Sequence, residues 1–228
     1  MTITIYTDLV QGSAEWIAAR CGVLTASEVK KIITPKKLEF AKNEEQRSHF
    51  DELLAQRLTK YVEPAYIGGD MLRGEADELD AVDVYSENYE AVERVGFITN
   101  DRWGFVLGYS PDGVVGETGL IEVKSRRQRF QVRTILDDGM PDDFMLQVQT
   151  GLLVSERQWC DFVSYSAGLP MFTKRIYPDE KVQHAIIEAA KIFHAKLDEE
   201  FTRIVERLAR KDFSLIPTER KDDAISVG

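Results

Sequence analysis

The segment from Ala91 to Lys124 constrains the fold more than any other part of the chain, because short apolar runs alternate there with turn residues. Strand-forming runs cover Ala91–Thr99, Trp103–Ser110 and Leu120–Lys124, and Pro111-Asp112-Gly113 is a turn between them. Strands joined by connections this short pair antiparallel. The segment therefore predicts an antiparallel β-meander.

Apolar residues at helical spacing surround this meander. The spacing predicts helices that begin at Thr25, cover 43–62, run from Met71 or Arg73 to Tyr89, follow Lys124 to Leu136, and cover 143–154 and 180–210. Thr25-Ala26-Ser27-Glu28 fits a capping box at the first of these helices. The last is a long C-terminal amphipathic helix, expected to pack on the sheet or on a partner subunit. The pattern predicts an α/β (α+β) fold, with a mixed central β-sheet flanked by helices.

Length and composition limit the domain organisation and the location. The chain has 228 residues, without internal repeats or an interdomain linker, which predicts a single domain over 1–228 with a loosely ordered tail at 212–228. The longest uncharged stretches have twelve residues and are too short to span a bilayer. The first ten residues show no signal-peptide pattern. We therefore expect a cytoplasmic protein.

The charge is unevenly distributed. The net charge of −10, from 29 basic and 39 acidic residues, opposes binding to a polyanion. Between Lys124 and Arg133, however, lie five basic residues and no acid, a block that could contact phosphates. Between Gly74 and Glu93 lie eight acids and no base, which is typical of a solvent-exposed helix face. The two cysteines and three histidines do not have the spacing of zinc ligands.

One group of residues has catalytic chemistry. Side chains alternate along a strand, so Glu122 and Lys124 project from the same face of Leu120–Lys124. If Asp112 lies at the neighbouring hairpin end, its carboxylate approaches that of Glu122, and two adjacent carboxylates favour a bound cation. Mg²⁺ could bind both carboxylates and the Val123 backbone carbonyl. By itself, however, a Glu-x-Lys triplet also suits a salt bridge at an exposed strand edge.

Four motifs, in order along the chain, carry a resemblance to a known family. Ser110-Pro111-Asp112-Gly113 followed by Ile121-Glu122-Val123-Lys124 resembles the PD-(D/E)xK nuclease motif of the phage lambda exonuclease family, also called YqaJ-type viral recombinase nucleases. The segment from Trp16 to Glu28 is similar to that family's W-x3-R-x-G-x-[IL]-TASE signature. The remaining two motifs are the helical G-x3-E at 74–78 and the QVQ helix at 147–149. The resemblance implies a restriction-endonuclease-like core.

The resemblance also implies a role for each matched residue. Asp112, Glu122 and the Val123 carbonyl would bind Mg²⁺ or Mn²⁺, with two ions per site. The other implied roles are catalysis by Lys124, Glu78 and Gln147, binding of a 5′-phosphate by Arg20, Ser27, Ser110 and Arg129, and separation of the DNA strands by Met71 as a wedge. The family pattern is looser in the basic block, where Arg126, Arg127 and Arg133 compete with Arg129.

Each of these residues also has a structural interpretation. Glu78 could be a solvated acid, Gln147 could make a structural hydrogen bond, Arg20 could lie on the surface, Ser27 could be an ordinary helix cap, and Met71 could belong to the core.

As an activity, the resemblance implies an alkaline-type deoxyribonuclease. It would be a Mg²⁺-dependent 5′→3′ exonuclease that degrades one strand of linear double-stranded DNA from a 5′-phosphorylated end to mononucleotides. Its partners would be a single-strand annealing protein and two further copies of the chain in a ring-shaped homotrimer, within phage-type recombination in a bacterial host cell. The alternatives are a site- or structure-specific endonuclease on the same core, and a scaffold protein without chemistry.

Overall fold

Two hydrogen-bonded β-sheets lie at the centre of the fold. The computed structural model describes residues 2–64, 69–210 and 214–220, without the side chains of residues 69–72 and 75. The strands are β1 (Ile3–Tyr6), β2 (Leu24–Thr25), β3 (Val92–Glu93), β4 (Phe97–Asn100), β5 (Leu107–Tyr109), β6 (Gly113–Val115), β7 (Gly119–Ser125), β8 (Trp159–Tyr165) and β9 (Phe172–Ile176). The sheet orders are β1-β4-β5-β2 and β3-β6-β7-β8-β9. Each sheet is mixed, because β2 and β5 pair parallel in one and β7 and β8 in the other.

Helices cover both faces of the second sheet. The helices of the chain are α1 (Ala14–Arg20), α2 (Val29–Ile32), α3 (Glu44–Thr59), α4 (Gly69–Asn88), α5 (Gln128–Asp137), α6 (Met145–Ser155) and α7 (Glu180–Ala209), of which α4, α5 and α6 contact strands of this sheet. Leu120 of β7 packs into the core that contains Leu146 of α6, while Val123 packs into a second core with Val82 of α4. The alternation of β7 therefore places α6 and α4 on opposite faces, and the predicted fold class is confirmed.

The predicted meander is only partly correct. β4 pairs antiparallel with β5, and β6 with β7, but the predicted strand Ala91–Thr99 is divided between the two sheets. Gly96 lies at this division, where the amide donates to the Tyr6 carbonyl at 3.1 Å and a Cβ atom would be 2.0 Å from the Leu9 carbonyl oxygen. The chain changes sheet again between β5 and β6, so that Ser110 and Asp112 lie at the junction of the sheets.

The predicted capping box is wrong, although a helix does follow Thr25 and ends before Pro35. Thr25 is the last residue of β2 and its side chain caps no backbone amide. A 3₁₀ turn covers Ala26–Glu28 and precedes α2. The capping hydrogen bonds do not form because Glu28 forms an ion pair with Lys31 instead, and the Thr25 hydroxyl contacts other side chains, described below.

The long C-terminal helix forms as predicted. Asp179 caps its first turn by accepting a hydrogen bond from the Val182 amide at 3.1 Å. Its buried side chains, which include Ile186 and Phe193, face α2, α3 and α6, so the helix packs on other helices rather than directly on a sheet. Among the described residues, no helix is long and apolar enough to cross a membrane. The predicted tail lies largely outside the described residues, and the single domain over 1–228 stays a prediction.

His194 connects α7 to α3 in the interior. Arg57 of α3 donates to His194 Nδ1 at 3.0 Å and to the Asp198 carboxylate at 2.8 Å, while the imidazole stacks on Phe105 with ring centroids 4.7 Å apart. Burial lowers the pKa of His194 to about 4. The charge of Arg57 also lowers this pKa, whereas the charge of Asp198 raises it. The fold therefore requires the neutral imidazole.

We expect the free energy of unfolding to decrease as the pH falls from 6.5 towards 4. In this range the unfolded chain binds a proton at His194 that the folded chain does not, and a shift from 6.5 to about 4 corresponds to about 3 kcal/mol. His194→Asn keeps an acceptor for Arg57 but cannot be protonated, so urea unfolding across this range should show a smaller dependence on pH. His184→Asn on the exposed side of α7 is the control, and equal slopes for the wild type and His194→Asn would contradict the prediction.

Candidate active site

Asp112, Glu122 and Lys124 come together where the β6–β7 hairpin opens. Gly113 pairs with Ile121, so the residues just outside that pair, Asp112 and Glu122, are neighbours. The Asp112 carboxylate accepts a hydrogen bond from the Val123 amide at 2.5 Å, and Lys124 Nζ donates to Glu122 Oε1 at 2.6 Å. The three side chains therefore lie together, and their catalytic and metal-binding roles stay predictions.

Glu122 is buried, with 1% of its surface exposed, and its carboxylate accepts hydrogen bonds from three side chains. The Tyr109 hydroxyl donates to Oε2 at 2.8 Å, while Lys124 and the amide of Gln147 donate to Oε1. A buried carboxylate without such donors would cost several kcal/mol. Gln147 reaches the site from α6, and its amide carbonyl oxygen has no hydrogen-bond partner among the described residues.

The site contains more acidic than basic side chains. The pKa of Asp112 is raised well above its usual range, first by burial and then by the charge of Glu122, with a further contribution from Glu78. Burial lowers the pKa of Lys124, but the carboxylates of Glu122 and Asp112 raise it by more, so that the ammonium form is favoured. Glu78 acts on both groups from α4 and is half-buried, which places it near the pair rather than on the solvated face.

The oxygen atoms at this point fit a hard divalent cation. The N–H and C=O groups of an extended residue point to the same strand edge, so the Val123 carbonyl faces the edge where Asp112 lies. Among the described residues, no group of three or more His, Cys, Asp or Glu side chains could hold a metal by itself. Mg²⁺ is commonly bound by one or two carboxylates with waters and substrate phosphates. Two carboxylates and a carbonyl are therefore a sufficient protein contribution.

A second group of polar residues lies beside the first, around Ser110. Arg20 Nη1 donates to the Ser110 hydroxyl at 2.7 Å, and Trp16 Nε1 donates to the same oxygen at 3.1 Å. The guanidinium carbon lies 4.1 Å from the Trp16 ring centroid. The Thr25 hydroxyl is 3.5 Å from Arg20 Nη2 and 3.4 Å from the Ser27 hydroxyl, which connects Ser27 to the group.

Arg20 is a partly desolvated cation surrounded by hydroxyl groups. Burial lowers its pKa to about 10, although the charge of Glu28 opposes this. Within the described part of the chain, no carboxylate lies within ion-pair distance of its guanidinium. A planar guanidinium with hydroxyl groups beside it is suited to binding a phosphate.

The arginines of the basic block differ in position. Arg126 follows β7 and donates its amide to the Tyr165 carbonyl at 2.7 Å. Its guanidinium carbon and Lys124 Nζ lie 5.2 and 5.6 Å from the Phe144 ring centroid, so both cations flank one ring. Arg126 Nε is buried without a hydrogen-bond partner. Arg129 instead stacks on Phe130 with its guanidinium 4.5 Å from the ring centroid, on the exposed side of α5.

The contacts of one predicted site residue, Met71, are not described. Met71 belongs to α4, but its side chain lies outside the described residues, so its role as a wedge stays a prediction. Two residues of the site were missed as functional candidates. Trp16 opens the N-terminal signature, which by itself assigns it no role, and the apolar residues around Tyr109 in the sequence do not distinguish it from an ordinary core tyrosine.

Comparison with known proteins identifies the family of the chain. The YqaJ-like viral recombinase domain matches residues 15–158. Two crystal structures of LHK-Exo, an alkaline exonuclease from Laribacter hongkongensis, one of them in complex with dAMP, are similar to the chain at 34% identity and a TM-score of 0.76, over 86% of this chain and 97% of theirs. No protein of curated function matches the sequence.

A phage related exonuclease from Haemophilus somnus 129PT is 16% identical with a TM-score of 0.53, over 78% of this chain and 96% of its own, and shows the shared fold alone. The family match covers more than half of the chain, and the LHK-Exo alignment covers most of both proteins. The chain therefore belongs to the YqaJ-like viral recombinase family.

Proposed function

We propose that the protein is a Mg²⁺-dependent 5′→3′ exonuclease that degrades one strand of linear double-stranded DNA to mononucleotides from a 5′-phosphorylated end. The observation that carries this proposal is the adjacency of two groups, the carboxylates with Lys124 and the hydroxyl-lined Arg20. Ser110 and Asp112 are two residues apart, which limits their Cα separation to about 7 Å. A terminal phosphate at Ser110 would thus lie within about one nucleotide of the carboxylates, which favours removal of single nucleotides. LHK-Exo, which has been crystallised with dAMP, supports a mononucleotide product.

Asp112, Glu122 and the Val123 carbonyl would hold the metal, as Mg²⁺ or Mn²⁺, and Glu78 supports a second ion through its charge. A bound ion would supply an activated water and neutralise charge on the scissile phosphate. Lys124 places its ammonium beside the same carboxylates, where it can stabilise a hydroxide or the negative charge that develops on the phosphate. Gln147 donates to Glu122 and keeps its carbonyl oxygen to orient a water.

Two phosphate contacts have different roles in this proposal. Arg20, with Ser110 and Ser27, would bind the terminal 5′-phosphate. Arg126 would bind a phosphate next to the reacting one, because it lies on the Lys124 side of the site and its buried Nε has no partner. Arg129, which the family resemblance indicates, is the competing residue. Met71 would separate the strands ahead of the site.

The protein would act as a ring of three copies around DNA, together with a single-strand annealing protein that coats the product strand. This assembly reconciles a net charge of −10 with DNA binding, since acidic surfaces face solvent and basic ones face the channel. Lys36 and Lys37 support the arrangement because they line an open groove beside Met145 and Leu146, adjacent in sequence to Gln147. Lys31, by contrast, forms an ion pair with Glu28. A phage or prophage origin, with action in the bacterial cytoplasm, fits this role.

The activity is tested with linear duplex DNA and closed circular DNA, each incubated with Mg²⁺ or with EDTA. We expect metal-dependent loss of the linear substrate alone, and Lys124→Ala should reduce the rate at least about a hundredfold because a charge at the reacting phosphate is lost. Lys174→Ala, which removes a surface lysine paired with Asp138 at 3.3 Å, is the matched control. Cleavage of the circle would favour the endonuclease alternative, and no degradation with either Mg²⁺ or Mn²⁺ would favour the scaffold alternative.

The roles of Arg20 and Arg126 are separated by comparing 5′-phosphorylated with 5′-hydroxyl ends. Arg20→Ala should abolish the preference for the phosphorylated end, while Arg126→Ala should slow both substrates by about tenfold or more and keep the preference, since each change removes a charged hydrogen bond to a different phosphate. Arg129→Ala tests the competing residue, and Arg203→Ala, whose exposed side chain pairs with Glu200 on the C-terminal helix, serves as the control. A larger loss with Arg129→Ala than with Arg126→Ala would reverse this assignment.

The ring is tested by sedimentation of the purified protein. We expect a species of three times the chain mass of 26.0 kDa, because one copy of net charge −10 cannot surround DNA with a basic channel. Analytical ultracentrifugation with and without DNA and Mg²⁺ measures this directly. A monomer under all conditions would contradict the ring while leaving the exonuclease assay to decide the chemistry.

A further inference from the structure

Tyr109 lies directly beneath the carboxylate of Glu122 and belongs to the other β-sheet. Its hydroxyl donates to Glu122 Oε2 at 2.8 Å, and both residues are only 1% exposed. The contact joins β5 of the first sheet to β7 of the second. It is therefore a buried hydrogen bond across the sheet junction, whereas the hydrogen bonds from Lys124 and Gln147 are only partly buried.

The ring of Tyr109 has little freedom to move. Gly151 of α6 packs on it so closely that a Cβ atom there would lie 2.7 Å from the phenol carbon that carries the hydroxyl. On β5, the backbone of Tyr109 is in register with Ile98 of β4. A fixed ring between a helix and a strand holds the hydroxyl, and hence Glu122 Oε2, in one place.

The two oxygens of Glu122 consequently differ. Oε2 accepts a hydrogen bond from the buried, neutral hydroxyl of Tyr109. Oε1 accepts from Lys124 and Gln147, the two side chains assigned to the reaction. We propose that Tyr109 is a positioning residue that fixes the rotation of the Glu122 carboxylate and presents Oε1 to the metal. This inference rests on the proposed function, since it takes Glu122 as a metal ligand.

Replacing the hydroxyl by hydrogen would leave Oε2 buried without a donor. The carboxylate could then turn towards other donors, and its orientation for a metal would be lost. Groups that orient a metal ligand by hydrogen bonding typically change metal affinity or activity by about 10- to 100-fold when removed. The Tyr109→Phe substitution should therefore weaken metal binding without removing any ligand.

A matched control exists in the same protein. Tyr85 of α4 is fully buried, and its hydroxyl donates to the Asp161 carboxylate on β8 at 2.6 Å. Asp161 is also held by Arg175 through two hydrogen bonds of 2.8 Å, outside the candidate site. Tyr85→Phe removes the same atom from the same kind of buried pair, so it reproduces the effect on stability without the effect on Glu122.

The experiment is calorimetric titration of Mn²⁺ into the DNA-free protein, with thermal unfolding of each variant as a measure of folding. We expect Tyr109→Phe to bind Mn²⁺ at least about tenfold more weakly than the wild type and to need a correspondingly higher Mn²⁺ concentration for half-maximal DNA degradation, while Tyr85→Phe keeps wild-type values. Equal Mn²⁺ affinity of Tyr109→Phe and the wild type, or an equal loss in Tyr85→Phe, would overturn the inference.

The outcomes distinguish this inference from the proposed function. A wild type that binds Mn²⁺ but degrades no DNA refutes the exonuclease and leaves the Tyr109 comparison valid. A wild type that degrades DNA while Tyr109→Phe binds metal normally refutes only the positioning role. A wild type that binds no Mn²⁺ overturns both, because Glu122 would then hold no metal.

Discussion

The buried carboxylate of Glu122 is the group around which the site is arranged. A charge with 1% exposure is stable only if donors surround it, and here they come from three directions: β5 below, the adjacent Lys124 on β7, and α6 opposite. Tyr109 links β5 to β7 and Gln147 links α6 to β7, while Lys124 lies on the same strand as Glu122. The polar network thus requires both sheets and α6 to be in place, and the same requirement assembles the chemistry.

A second constraint is the change of sheet between β5 and β6. Ser110 and Asp112 occupy that connection, so one short segment contributes to both the Arg20 group and the carboxylate pair. In a continuous meander these residues would form an ordinary turn at the end of one sheet. The crossing therefore brings the Arg20 group and the carboxylate pair together, which is the arrangement that the proposed end recognition and cleavage require.

Much of the fold and of the candidate site could be predicted from the sequence because it depends on local periodicity. Alternation along β7 placed Glu122 and Lys124 on one face, and the apolar stripe gave the long last helix within one residue of its observed end. The division of Ala91–Thr99 could not be predicted in this way, since it depends on Leu9, which is distant in sequence and packs against Gly96. The capping box failed because the Thr25 hydroxyl contacts Arg20 and Ser27 and Glu28 pairs with Lys31, and the motif by itself does not show these contacts.

The net charge of −10 is a poor guide to what the protein can bind, because the position of each charge determines its effect. Most acids between Gly74 and Glu93 are solvent-exposed and screened, so each contributes little beyond a Debye length of about 10 Å. Arg20 and Arg126 are partly desolvated and lack an ion-pair partner among the described residues, so their fields act locally with less screening. Two such cations beside the carboxylate pair attract an approaching phosphate more strongly than many solvated acids repel it. A globally acidic chain can therefore present a local surface that attracts a polyanion, and the metal that the carboxylates favour would strengthen that attraction.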